Sequence, residues 1–361
     1  MKNGQFLLAL HTIDGFGPVR LKKLIERFGD PKIAWEADLR EIREIGIPEG
    51  VVQVFADARK KVDPEKMILD LEKMGIKWIS IFDDSYPNLL KQIYDPPTVF
   101  YFKGEFTLAD SRSIAVVGTR KITGYGKLVT QKFVTDLVNS GITIVSGLAR
   151  GVDTQSHKSA LEAGGRTIAV LGGGLNKIFP PENIGLSEKI ADGHGVVMSE
   201  FPPDYPSVAG NFPARNRIIS GLSLATLVTE AASDSGSLIT ARLALEQGRD
   251  VFAVPGPITS QFSKGPADLI KEGARLVMEA GEILEELGLS RRSVGSGNNL
   301  GDLNLSGEEK KVLEFLQNEQ KHIDEIGRSL NFEAGKISAT LLKMEIQGLV
   351  RNLGGGTYCR S

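Results

Sequence analysis

The chain has a single cysteine, Cys359, in 361 residues. An internal disulfide is therefore excluded, and a reducing compartment fits best. Histidine is scarce as well: His11, His157, His194 and His322 are scattered, no Cys/His spacing matches a metal site, and no metal is expected. Long apolar runs are missing. The stretch "FLLAL" near the start is five residues, too short for the core of a signal peptide, and no run approaches the ~18 residues that span a bilayer. A cytoplasmic protein without a membrane partner is the expectation. Net charge is only −2, so any affinity for a phosphate polymer must come from positive charge gathered locally. The phosphate loop G-x-x-x-x-G-K-[ST] is absent, since Lys127 is followed by Leu128, which argues against a nucleotide-driven motor.

What the chain does have is glycine, 41 residues of it, much of it just after apolar runs. "SIAVVG", "GITIVSG", "RTIAVLGGG", "GVVMSE", "LATLVTEA" and "DVFAVPG" are near-continuous in small and branched apolar residues. Amphipathic patterns such as "GKLVTQKFVTDLVNSG" and "SGSLITARLALEQG" lie between them. That alternation predicts an α/β fold, a doubly wound Rossmann-like parallel sheet. Ahead of it, residues 1–62 read as a small helical domain in which "LHTIDGFGPVRLKKLIERFG" fits a helix-hairpin-helix. That hairpin is open between a DNA phosphate contact and a protein contact. The strand-like "KWISIF" and "TVFYF" join the sheet in an extended domain over 66–287. A polar linker is expected over 288–304. Residues 305–361 read as a winged-helix domain. From Ser306 onward that last unit has eight Lys/Arg against eight Asp/Glu, so contact with a protein or with the body of the molecule suits it better than reading DNA.

Parallel sheets bind ligands beyond the carboxyl ends of their strands, so the residues following each run are the candidate site. They are Gly118, Thr119, Arg120 and Lys121; then Ser146, Gly147, Arg150 and Gly151; then Lys177 and Phe179; then Arg215, Asn216 and Arg217; then Ser235, Gly236 and Ser237 at a helix start. Gly118, Gly124 and Gly126 do not make G-x-G-x-x-G, and the second strand lacks the acidic residue of a dinucleotide site. Arg120, Arg150, Lys177, Arg215 and Arg217 bring five cations to one edge, which suits a run of phosphates better than a single one. Phe179 and Phe212 are candidate stacking faces for the bases of a single strand, and Phe179 reads equally well as a packed residue. Asp153 and Ser235 read first as helix N-caps. His157 reads as a surface or capping residue, and Glu230 as the holder of a neighbouring loop.

The blocks "VVGTR", "VSGLARGVDTQSHKSAL", "VLGGGLNKIFPPEN", "FPARNRIISGLS" and "EAASDSGSLITARLALEQGRDVFAVPG" resemble, in this order, the bacterial DprA/Smf family (DNA-processing protein A). The resemblance covers nearly the whole chain. It implies a cofactor-free, non-enzymatic protein that binds and protects single-stranded DNA and loads the RecA recombinase in natural transformation. It further implies a homodimer formed through the Rossmann-like domain. The family's Gly-Ser/Thr-Arg motif falls on Gly118, Thr119 and Arg120, and its pocket lysine and aromatic on Lys177 and Phe179. A more distant resemblance is to phosphoribohydrolases of nucleoside monophosphates, with the signature P-G-G-x-G-T-x-x-E. Here "SDSGSLIT" puts Ser237 at the threonine and Thr240 at the glutamate, a loss that undercuts hydrolysis.

Overall fold

The computed structural model describes residues 3–289, 307–316, 320–346 and 349–360, and most of the expected linker lies outside them. The chain divides into two compact units, 1–290 and 291–361.

The first unit is built on nine strands: β1 (Lys77–Ser80), β2 (Val99–Gly104), β3 (Ser113–Val117), β4 (Thr143–Ser146), β5 (Thr167–Leu171), β6 (Gly195–Ser199), β7 (Ala225–Val228), β8 (Asp250–Ala253) and β9 (Arg275–Leu276). Their order is β1-β2-β6-β5-β4-β3-β7-β8-β9. The seven strands from β6 to β9 run parallel, while β2 pairs antiparallel with β6 and β1 antiparallel with β2. From β3 the chain winds outward through β4, β5 and β6, then returns to the other side of β3 as β7. The crevice of a doubly wound sheet opens where the winding reverses, between the ends of β3 and β7.

Alternate residues of each strand feed opposite faces. Ala115, Val117, Val145, Ile168, Val170, Val196 and Met198 pack on one side with Ile218, Ile219, Leu238 and Ala241, from the helices Asn211–Gly221 and Gly236–Glu246. On the other side Ile114, Val116, Ile144, Ala225, Leu227 and Phe252 meet Phe133, Val134 and Leu137 of the helix Gly124–Asn139. That helix covers only part of the face. Over β2, β5 and β6 the cover comes from the N-terminal helices together with the segment before β6: Leu7, Leu8 and Ile25, with Leu186 and Ile190, pack with Val99, Tyr101, Ala169, Leu171 and Val197. The same helices hold a second core of their own around Phe16, Leu24, Trp35 and Phe55. Helices Gly4–His11 and Pro18–Phe28 flank the expected hairpin turn, in which Arg20 donates to the Gly15 carbonyl at 2.6 Å.

The second unit has helices Gly307–Phe315, Ile323–Leu330 and Ala334–Ile346. The strand Lys321–His322 pairs with a hairpin of Val350–Gly354 and Thr357–Arg360. Val312, Leu313, Ile326, Ile337, Leu341, Met344 and Val350 form its core. Three helices with a terminal hairpin make a winged helix.

Candidate nucleic-acid interface

The turn after β3 is dictated by close packing. Thr119 N–H donates to the Glu230 carbonyl at 2.6 Å, which ties the turn to the end of β7. A Cβ on Gly118 would stand 2.5 Å from that carbonyl oxygen and 2.6 Å from Val152, so only glycine passes. Gly151 (φ +79°) runs beneath the same turn, where a Cβ would meet the Thr119 carbonyl oxygen at 2.1 Å and the Arg120 Cα at 2.8 Å. Val152 N–H then donates to that Thr119 carbonyl at 3.1 Å. The Arg120 backbone is thereby held from below.

Glu230 explains the departure from a dinucleotide turn. Its buried carboxylate accepts Thr123 N–H at 3.0 Å and the Thr123 hydroxyl at 2.6 Å, and lies so close to Gly126 that a Cβ there would be 2.0 Å from Oε2. It stands at the start of the Gly124–Asn139 helix, the place a nucleotide phosphate takes in dinucleotide folds. Glu230 does hold the neighbouring loop.

The crevice is a cleft of about 820 Å³. Its walls bring together Gly118, Thr119, Arg120, Lys121, Phe179, Phe212, Arg215, Asn216, Ser235, Gly236 and Ser237. Arg120 and Lys121 are exposed at its edge. The Arg120 guanidinium lies 5.3 Å from the Phe212 ring centre, and Phe179, 46% exposed, sits 6.0 Å from Phe212 with the ring planes at 52°. Across the cleft Ser235 caps the Gly236–Glu246 helix, its hydroxyl accepting Ser237 N–H at 3.4 Å, and Gly236 is exposed. A bare helix start facing two cations and an open aromatic ring offers both phosphate ligands and a stacking face.

The other expected residues form the frame. Arg215 is buried: its guanidinium donates to the Gly147 carbonyl at 2.7 Å and to the Val170 carbonyl, and burial pulls its pKa down to about 10, leaving it charged at neutral pH. Asn216 donates to the Gly236 carbonyl at 3.3 Å, joining the two helices that border the cleft. Ser146 is buried and donates to the Val116 carbonyl at 2.7 Å. Arg217 lies apart from the cleft lining. Two Arg217–Glu200 hydrogen bonds of 2.8 Å and a contact of 2.9 Å with Asp95 hold it in place, and although burial opposes its charge, Glu200 raises its pKa. Arg150 is exposed outside the cleft and paired with Glu182, and Lys177 is exposed on the loop that carries Phe179. Of these six cations, Arg120, Lys121, Arg150, Lys177, Arg215 and Arg217, it is Arg120 and Lys121 that open onto the cleft as exposed side chains.

Two sequence expectations are corrected. Asp153 is inside the helix Val152–Glu162 and not its N-cap; its carboxylate accepts the amides of Gly147 and Ala149, at 3.2 and 3.4 Å, and burial pushes its pKa up. His157 is fully buried, 2.7 Å from the Thr167 hydroxyl, because its face of that helix lies on the sheet. Ser207, Asp234, Gln261 and Phe262 also line the cleft, and sequence reading missed them. They arrive on loops without periodic pattern, and only "SDSGS", which contains Asp234, carried any signal. Among the described residues no group of three or more His, Cys, Asp or Glu could hold a metal ion, and no helix is long and apolar enough to cross a membrane.

Comparison with known proteins bears on the family and the fold. Residues 77–288 match the family model DNA recombination-mediator protein A, and residues 302–356 match the DprA winged helix domain. Protein Smf of Synechocystis is 35% identical, with 98% of each chain covered. The X-ray structure of DNA processing protein A from Streptococcus pneumoniae superposes with a TM-score of 0.71 at 37% identity, covering 79% of this chain and 99% of that one. A structure of the Helicobacter pylori protein, described for its single-stranded DNA binding mode, gives 0.53 at 29% identity, covering 59% and 95%. The blocks that form the crevice, the parallel sheet that carries them and the winged helix beyond them place this chain in the DprA/Smf family of DNA recombination mediators.

Proposed function

We propose that the chain binds single-stranded DNA across the crevice between β3 and β7, without turnover. The observation that carries this reading is the pairing of Arg120 and Lys121, exposed at the cleft edge, with the open ring of Phe179. Successive phosphates would follow Gly118–Lys121 and the start of the Gly236–Glu246 helix, while a base stacks on Phe179. A duplex keeps its bases paired and stacked on one another, so its faces would not reach that ring. In this reading Lys177 and Arg150 extend the path outward. Ser146, Gly147, Gly151, Arg215, Asn216 and Arg217 act through the frame.

The larger role we infer is that of a mediator, loading the RecA recombinase on incoming DNA in the cytoplasm during natural transformation. A homodimer through the Rossmann-like domain would place two clefts on one strand, and such linkage can raise avidity by ~10²–10⁴ without new contacts. The helical region 1–62, the DNA-binding region 66–287 and the winged helix 305–361 are proposed as its functional parts. The competing reading is a hydrolase of nucleoside monophosphates. Thr240, at the position of that family's glutamate, lines the cleft and carries no carboxylate.

The test is fluorescence anisotropy with matched single- and double-stranded oligonucleotides, alongside an assay for base release from nucleoside monophosphates. Tighter binding of the single strand with no base released supports the proposal. Base release, or indifference to oligonucleotides, would put the hydrolase first.

A further inference from the structure

Phe179 and Phe212 are equivalent in sequence terms, as aromatics near one edge, but the fold treats them differently. Phe179 is exposed, and its ring is tilted by 52° from that of Phe212, so the two do not stack face to face. Phe212 is half-buried and surrounded. Its edge rests on the backbone after β5, where a Cβ on Gly172 would come within 3.0 Å of Cδ1. Two guanidinium groups lie within reach of its ring, Arg120 at 5.3 Å and Arg215 at 5.9 Å. The Arg120 guanidinium has no hydrogen bond or ion pair with a described residue; it lies against the Phe212 ring, near enough to Arg215 for its charge to help lower that residue's pKa. Ring faces attract cations. An arginine held this way loses less freedom when a phosphate arrives.

We propose that Phe212 is a positioning residue whose ring holds the Arg120 guanidinium aimed across the cleft, while base stacking is left to Phe179. Gly151 fixes Arg120 from the backbone side and Phe212 from the side-chain side. The buried Arg215, 5.9 Å from the centre of the same ring, is pinned by the Gly147 and Val170 carbonyls, so one of the two guanidinium groups at the ring is fixed. The proposal rests on the single-strand reading above, and its test separates the two.

The test uses the full chain with tryptophan as a stacking probe, after subtraction of the wild-type signal of Trp35 and Trp78. Phe179→Trp emission is expected to be quenched when oligothymidine binds. Phe212→Trp, which keeps an aromatic face for Arg120, is expected to bind within about two-fold of wild type with little quenching. Phe212→Leu is expected to weaken binding roughly three- to five-fold with an unchanged salt slope, because no phosphate contact is removed. Equal quenching at both positions, or unchanged affinity of Phe212→Leu, would overturn the role. A second readout needs no DNA: the ¹⁵Nε order parameter of Arg120 in the free protein is expected to fall in Phe212→Leu and to recover in Phe212→Trp. If wild type ignores oligonucleotides, the single-strand reading fails. The order parameter still decides whether Phe212 holds Arg120, and an unchanged value would end the proposal.

Discussion

His157 has one hydrogen-bond arrangement open to it. The Thr167 hydroxyl donates to the Ile144 carbonyl at 2.8 Å, so it accepts from Nδ1–H of the imidazole, and Nε2 is buried without a partner. A second proton would place an unpaired charge in the core, and burial accordingly lowers the pKa to about 3, with Arg215 adding to the effect. His11 is half-buried, and desolvation lowers its pKa although its Nε2 lies 2.8 Å from the Glu200 carbonyl. Between pH 6.5 and about 3 the unfolded chain takes up a proton at His157 that the folded chain refuses, and the lowered His11 acts in the same direction. Stability contributed by His157 is therefore complete above pH 6.5 and is lost as pH falls, by up to about 1.4 kcal/mol per pH unit. Asp153, with its raised pKa, has the opposite slope in the window just above its ordinary value, so the comparison must be between variants. Urea denaturation from pH 7 to 4.5 is expected to give a shallower pH dependence for His157→Gln than for wild type. Parallel curves would contradict the neutral buried imidazole. The same scale separates the arginines: Arg120 and Arg217 are alike in sequence, but Glu200, a partner 17 residues away, occupies Arg217.

The elements that build the site are three turns stacked on one another. The turn after β3 rests on Gly151 after β4, and Glu230 at the end of β7 anchors its far side. Gly151→Ala would set a methyl against the Thr119 carbonyl and force an L side chain into a positive-φ conformation. The expected cost is about 1–3 kcal/mol of stability, with a loss of oligonucleotide affinity beyond what partial unfolding explains, because Arg120 is carried on the displaced turn. Denaturation together with anisotropy on the folded fraction checks this, and a folded variant with full affinity would refute it. The six strands from β3 to β8 were legible because a strand covered on both faces is written as a continuous run of Val, Ile and Ala. β9 was not, since its two exposed residues, Arg275 and Leu276, leave no pattern. The site was legible as far as loops follow strands. Which side chain enters the cleft depends on helix rotation and distant partners, and there Asp153, His157 and Arg217 departed from their local appearance.

Across the whole molecule, one topological event places the crevice: the sheet reverses its winding at β3, and the turns on either side meet. The N-terminal helices contribute by covering the face that the Gly124–Asn139 helix leaves open, so that Leu7 and Leu8 belong to the same core as β5 and β6. Net charge of −2 gives no hint of a phosphate-binding edge, because carboxylates such as Glu200 and Glu182 are spent on the surrounding arginines and leave Arg120 and Lys121 open. The central claim is that Arg120 meets a DNA phosphate. Its most direct test is the dependence of single-strand affinity on salt concentration for wild type and Arg120→Ala. Each phosphate contact on a single strand contributes about 0.7 to the slope of log affinity against log salt, so the variant is expected to bind more weakly with a slope shallower by ~0.7. An unchanged slope would contradict the claim and leave the cleft to another ligand.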